Sequence, residues 1–265
     1  MSEVKNILVI SASPRKKGDG YKITESIIKE IGDEKSFKWE YLFLNDFEIK
    51  ACIGCRICIK MNEEKCPFKD DLLSIVSKMN DADGYVFTSP VYSVAVSSQM
   101  KAFIDRTNYL LHRPFSIGKP TIAICTAELR GTKSVIKYLS HILNTLGLRY
   151  EGGIGVKIGP YKNNKKYKRK TDIKIKKLAG VFKTSLEKGN RQKPYFKQAI
   201  LFKMWQTRAI ISKDKNPYDY EYWLAKGWIN TDYYYPTKIN SISKFLFKLF
   251  KKRLAKFMKE GFIYK

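Results

Sequence analysis

Histidine is nearly absent from this chain. Only His112 and His141 occur in 265 residues. Neither is assigned a ligand role, since helix-surface or core packing accounts for both. No Ser–His–Asp arrangement or acid–base carboxylate couple stands out. No apolar run is long enough to span a bilayer. The start "SEVKNILVISAS" has only a short apolar stretch before polar and glycine residues. No secretory signal is read there, and a cytoplasmic protein is expected. Acidic residues are scarce, 25 against 51 Lys+Arg, for a formal net charge of +26. That excess favours anionic partners without choosing among them. A nucleic-acid-binding module is one alternative, supported by Lys162–Lys177 and interleaved aromatics. Against it, lysines are spread throughout and no single-strand or helix-turn-helix pattern is found.

Cysteine is also sparse, five in all, yet four fall in "CIGCRICIKMNEEKC", Cys52–Cys66. Clustered thiols in a reducing compartment are more often metal-binding or catalytic than structural disulfides.

Along the chain, apolar strands alternate with helical patterns for about 185 residues. "NILVIS" reads as a buried strand, followed by the polar loop "ASPRKKGDG" and the helical "YKITESIIKEI". "KWEYLFLND", "GYVFTSPVY", "GKPTIAICTA" and "GGIGVKIG" are the later strands. "DDLLSIVSKMNDAD", begun by an acidic cap, "VSSQMKAFIDRTNYLL", "GTKSVIKYLSHILNTLG" and a lysine-rich segment from Lys166 are the helices. This order predicts an open α/β sheet with ligands at the carboxyl ends of its strands. Residues 1–188 are expected to form that domain, and 189–265 a basic, aromatic-rich, mainly helical extension.

The loop after the first strand holds Ser11, Ser13, Arg15, Lys16 and Gly18. Hydroxyls, backbone N–H groups and a helix N-terminus suit a phosphate monoester. The loop lacks both the GxGxxG spacing of dinucleotide sites and the GKS/GKT of the nucleotide P-loop. An ordinary polar loop fits the local pattern equally well. Cys52, Cys55 and Cys58, spaced C-x2-C-x2-C, can open a ferredoxin-like [4Fe–4S] site completed by Cys66. Gly54 leaves room for the tight turn, and Pro67 follows the last thiol. Zinc and free or redox-active thiols are the other readings. Cys125, inside an apolar strand, is read as core.

"SASPRKKGD", the cysteine run and "TSPVYSVAVSSQMKAFIDR" occur in that order over about residues 4–185. Together they resemble the iron–sulfur flavoproteins and NAD(P)H-dependent FMN reductases of the flavodoxin-like superfamily. The resemblance implies a doubly wound five-stranded parallel sheet and an FMN-dependent oxidoreductase. Ser11, Ser13, Arg15 and Gly18 would surround the FMN phosphate. Asp19 and Gly20 stand where the family usually has Asn and Thr, with Arg15, Lys16 and Lys17 able to offset the Asp19 charge. Pro90, Val91, Tyr92 and Ser93 would run along the isoalloxazine ring, glycine being common at the Ser93 position. Thr126, Ala127 and Gly131, from the loop 126–131, would supply further flavin contacts. Cys52, Cys55, Cys58 and Cys66 would hold the cluster, and "DD" at Asp70 and Asp71 matches related oxidoreductases. Lys101, Asp105 and Arg106 match a family helix motif and are read as structural or interface groups. The resemblance also implies a homo-oligomer, dimer or tetramer. The electron donor would be NAD(P)H, ferredoxin or another reduced protein.

Two alternatives remain: an NAD(P)H-dependent FMN or quinone reductase without a cluster, and a flavodoxin-like scaffold without enzymatic activity. The last helix sets Phe245, Leu246, Leu249, Phe250, Leu254 and Phe257 near one face, with lysines over much of the rest. Such a helix can lie on an anionic membrane or pack on the sheet domain or a partner subunit. The Trp- and Tyr-rich run before it can lid the site or build a local core.

Overall fold

Short apolar strands that bury both faces need helices on either side, and the chain supplies them. The computed structural model describes residues 4–161, 163–214, 216–239 and 256. Strand β1 (Lys5–Ser11) leads to helix α1 (Asp19–Ile31), β2 (Phe37–Phe43), the one-turn α2 (Ile57–Lys60) and α3 (Leu72–Asp81). Then come β3 (Gly84–Tyr92), the two-residue β4 (Ala95–Val96), α4 (Ser98–Arg106), α5 (Tyr109–His112) and β5 (Pro120–Ala127). The sheet domain closes with α6 (Thr132–Thr145), β6 (Arg149–Lys157) and α7 (Lys165–Lys188). Five strands are parallel in the order β2-β1-β3-β5-β6, and β4 pairs antiparallel with β3. This is the flavodoxin-like doubly wound sheet, whose order reverses between β1 and β3.

Alternate residues of each strand feed two separate cores. Leu8, Ile10, Tyr85, Phe87 and Cys125 pack with Ile75, Met100, Phe103 and Leu139 of α3, α4 and α6. Ile7, Val9, Val86, Ile122 and Ile124 pack with Ile27 of α1 and Phe182 of α7. Cys125 is fully buried, and its thiol is pushed up to about 12 by that burial.

Where one long helix is expected over 96–111, the structure has α4 and α5. Ser97 caps α4, accepting from the Met100 N–H at 3.4 Å and donating to the Ala12 carbonyl at 2.9 Å. At the other end Thr107 turns its hydroxyl back onto the Phe103 carbonyl at 2.8 Å, and α4 stops at Arg106. The apolar period survives because α5 resumes on a buried face with Tyr109 and Leu110. The acidic start of α3 acts through Asp70, whose Oδ1 accepts from the Leu72 N–H at 3.4 Å, rather than through the adjacent Asp71. Asp71 makes no side-chain cap there, and its carboxylate accepts from the Glu48 N–H at 2.8 Å.

Beyond the sheet domain lie α8 (Phe196–Ile211) and α9 (Pro217–Ala225). Their aromatics form a third core around Phe202, Trp223, Trp228 and Tyr233, so these side chains build the extension rather than lid a site. Hydrogen bonds fasten this unit to the sheet domain, Trp223 Nε1 donating to the His112 carbonyl at 2.7 Å and Tyr222 Oη to that of Pro114 at 2.8 Å. The expected basic amphipathic helix falls almost entirely outside the described residues. Among the described residues no helix is long and apolar enough to cross a membrane.

Candidate flavin groove and cysteine cavity

The carboxyl ends of β1, β3 and β5 bring three loops to one groove, of about 320 Å³. Arg15 comes from the loop after β1 and Asp19 from the first turn of α1, Pro90, Val91 and Tyr92 from the end of β3 with Ser93 just beyond it, and Thr126 and Ala127 from the end of β5. Val94 and Ile158 also line it, and the sequence pattern pointed to neither. Ser11, Ser13, Lys16, Gly18 and Gly131, also expected at the site from sequence, are not among the residues that line this groove. Ser11 is buried. Ser13 Oγ accepts from the Arg15 N–H at 3.2 Å, and the Gly18 N–H donates to the Arg15 carbonyl at 3.0 Å, which coils the loop. Lys16 pairs with Asp46 at 2.7 Å and lies over the Phe43 ring. The first turn of α1 brings backbone N–H groups without intrahelical partners to this corner. Gly20 is required there, because a Cβ would lie 2.6 Å from Thr88 Oγ1.

The second loop is a two-residue hairpin turn, since Tyr92 pairs with Ala95 across β3 and β4. Its central residues, Ser93 and Val94, both have positive φ, 49° and 65°. This turn class favours Asn-Gly, and a β-branched residue at positive φ is strained. Strain held at a ligand edge is a recurrent feature of functional sites. Val94→Gly should therefore raise stability by about 1 kcal/mol, read from the urea midpoint at unchanged slope. Gly131, at φ 95°, opens α6; a Cβ on it would lie 2.7 Å from Val91 Cγ1 and 3.0 Å from Val94 Cα. The second and third loops therefore touch through a position that has no room for a side chain.

The second site lies on the α3–α4 side. Cys52, Cys55, Cys58 and Cys66 all line one cavity of about 200 Å³, with Pro67, Phe68, Arg106 and Tyr109. Cys52 and Cys55 are exposed, while Cys58 and Cys66 are half-buried. The loop turns through the left-handed region twice, at Gly54 (φ 69°) and Arg56 (φ 61°). The Gly54 N–H donates to Cys52 Sγ at 3.5 Å. Burial pushes the Cys58 thiol up, its neighbours Cys66, Cys52 and Cys55 add to this, and Arg113 opposes it. Among the described residues no three His, Cys, Asp or Glu side chains are grouped so as to hold a metal ion.

Two buried arginines anchor this loop, and neither role shows in local sequence. Arg106, at the end of α4, faces Asp70 with both guanidinium nitrogens, Nη2 donating to Oδ1 at 3.0 Å. It also donates to the Lys50 carbonyl at 3.0 Å and, through Nη2, to Cys66 Sγ at 3.6 Å. Asp70 accepts in addition from the Lys50 N–H at 2.9 Å. Burial raises the Asp70 carboxyl, but Arg106 and backbone N–H donors outweigh it and hold the group below its ordinary range. Lys101 and Asp105 form an exposed pair one turn apart on α4, with Nζ 2.6 Å from Oδ2, as their spacing implied. Arg113, just after α5, donates to the Cys58 carbonyl and to Glu63 Oε2 at 3.1 Å. It also pairs with Asp219 of α9.

His112, read from sequence as a packing residue, is buried beside this pair. Its Nδ1 lies 2.7 Å from Asp219 Oδ2, and Arg208 Nη1 lies 3.1 Å from its Nε2. Arg208 Nη1 also contacts Nδ1, so the ring is held between a carboxylate and a guanidinium. Burial lowers its pKa below the ordinary 6.5 in spite of Asp219. The unfolded chain therefore binds the proton more readily. Stability from this group is complete above pH 6.5 and is lost as the pH falls below it. Thermal melting between pH 7.5 and 5.5 should show a drop that shrinks in His112→Gln.

A parallel sheet in this strand order, with three loops around a groove at its switch point, defines a flavodoxin-like protein. The particular family follows from its sequence. The chain belongs to the NADPH-dependent FMN reductase family, whose model matches residues 5–159, and it is an FMN-dependent oxidoreductase. An iron-sulfur flavoprotein of Archaeoglobus fulgidus is 29% identical over 225 residues, covering 83% of this chain and 98% of the relative. An iron-sulfur flavoprotein of Methanocaldococcus jannaschii is 38% identical over 112 residues, 42% of this chain and 54% of its own. Among solved structures, RosB with a bound formylriboflavin phosphate intermediate superposes with a TM-score of 0.54 at 12% identity, over 90% of this chain and 92% of that one. An oxidoreductase of Corynebacterium diphtheriae gives 0.52 at 18% identity, over 71% of this chain and 99% of its own. These superpositions show the fold.

Proposed function

We propose that this enzyme exchanges electrons between FMN in the β1–β3–β5 groove and a [4Fe–4S] cluster held by Cys52, Cys55, Cys58 and Cys66. The observation that carries this reading is the convergence of all four thiols on one cavity, beside a buried guanidinium that donates to one of them. A four-iron cluster takes one thiolate per iron, so its ligands rim a cavity rather than meet at a point. That differs from the four-ligand shell of structural zinc. The soft donors and the N–H groups on Cys52 and Cys66 suit iron–sulfur chemistry. The relatives named as iron–sulfur flavoproteins support the same reading.

The groove fits FMN by its own chemistry. The coiled 11–18 loop and the N-terminus of α1 present backbone N–H groups to a phosphate. Arg15 adds a cation and Asp19 an opposing charge. Tyr92, about half exposed, offers a ring face, and the 90–94 and 126–131 loops form two walls. Bound, the flavin takes a hydride or single electrons and the cluster one electron at a time. The protein's part is to hold both and to keep the groove open to a donor, NAD(P)H or a reduced carrier protein. A homo-oligomer belongs to this reading, because Ile53, Met61 and Leu73 stand exposed around the cysteine loop and a second copy would cover them.

Anaerobic reconstitution of wild type and of Cys58→Ser tests the assignment. Wild type should take up iron and sulfide and show a cluster signal that the variant loses, with FMN content equal in both. Equal iron in the two proteins would contradict it. Flavin without iron in wild type would favour a cluster-free FMN or quinone reductase.

A further inference from the structure

The C-terminal extension reaches the cysteine loop through a chain of charges. We infer that Asp219, on α9, is a positioning residue for that loop, acting through Arg113. The inference borrows from the proposed function only its consequence for iron.

Three observations carry it. First, α2 is one turn long and is entered from a left-handed Arg56, so it cannot hold itself in place. Its placement depends on groups outside it, and α9 packs against it. Second, Arg113 grips the loop at the Cys58 carbonyl and at Glu63, on both sides of the turn between Cys58 and Cys66. Third, Arg113 is itself buried, with its side chain 3% exposed, and a buried guanidinium needs a buried anion. Glu63 is partly exposed, so Asp219, also 3% exposed, is the anion that fixes it. Asp219 is held in turn by His112 and by Asn216 Nδ2 at 2.8 Å, with Arg208 3.7 Å away. Tyr218, next to Asp219, lays its ring 4.7 Å from the guanidinium.

The sequence separation makes this more than local packing. Asp219 lies 106 positions beyond Arg113, and Glu63 lies 50 before it. The extension thus supplies the group that sets one wall of a cavity built by the sheet domain. Removal of the carboxylate should loosen the cysteine loop while the flavin groove, on a different set of loops, stays as it is.

The test compares amide hydrogen exchange and iron retention in full-length, FMN-loaded protein, wild type against D219N, E63Q and D232N. E63Q cuts the chain of charges at its surface end and cannot disturb the extension's core. D232N removes another extension ion pair, that with Lys203 at 3.5 Å. In iron-free protein, D219N should speed exchange of residues 56–61 by about tenfold or more, with residues 11–18 unchanged. E63Q should give a smaller acceleration in the same residues, and D232N none. In reconstituted protein, D219N should lose iron to a chelator about 10–100-fold faster than wild type.

Unchanged exchange over 56–61 in D219N and E63Q overturns the inference, as does an equal acceleration in D232N. If D219N fails to yield folded protein, D219E, which keeps the charge and shifts the carboxylate, takes its place against D232N, and unchanged exchange over 56–61 in D219E overturns the inference. Wild type that takes up no iron would sink the cluster reading, while the exchange data would still decide the role of Asp219.

Discussion

Arg106→Met will destabilise the protein by about 3–5 kcal/mol, the usual cost of breaking a buried ion pair from one side. Arg106 and Asp70 have side chains only 4% and 1% exposed. Removing the guanidinium leaves the Asp70 carboxylate buried with only backbone donors. The Lys50 carbonyl and Cys66 Sγ lose a donor in the same step. The loss should appear as a lower urea midpoint at unchanged slope. The double variant R106M/D70L should recover part of it, because no unpaired charge then remains. Recovery in that cycle separates the ion pair from simple packing. Iron retention should fall in R106M and stay low in the double variant, since Cys66 lacks its N–H donor in both.

Gly131→Ala will weaken FMN binding by about tenfold or more, through two separate effects. Position 131 has φ 95°, where an L side chain is strained by about 1–2 kcal/mol. The new Cβ would also press on Val91 Cγ1 and on the backbone at Val94. Val94 cannot yield freely, because it already sits strained in a two-residue turn. The pressure is then passed to the wall that carries Tyr92. Fluorescence titration of apoprotein with FMN reads the affinity. Val94→Gly in the same background should restore part of it, because the turn regains freedom.

Fold and groove were legible for a physical reason. Strands buried on both faces leave continuous apolar runs, and β3 was bounded at Gly84 and Tyr92 from sequence as in the structure. The groove loops follow directly, because ligands gather where such strands end. The break at Thr107 leaves no trace in the pattern, because the apolar period continues through it. Asp71 matched the acidic signature of a helix cap, yet its carboxylate serves Glu48. The turn at Ser93–Val94 carries neither Asn nor Gly, so nothing local announced its positive φ angles. Least legible were Arg106, Arg113 and Asp219. Arg106 lay in a motif whose role read as structural, and its bond to a cysteine sulfur spans 40 positions. Burial and partner choice at such distances leave no periodic trace.

The most direct test is an anaerobic absorption spectrum of the purified full chain after reconstitution, with iron, acid-labile sulfide and flavin assayed on the same sample. This account predicts flavin bands together with about four irons and four sulfides per chain. Flavin with no iron or sulfide would contradict the two-cofactor reading. Failure to bind FMN would contradict the groove assignment itself.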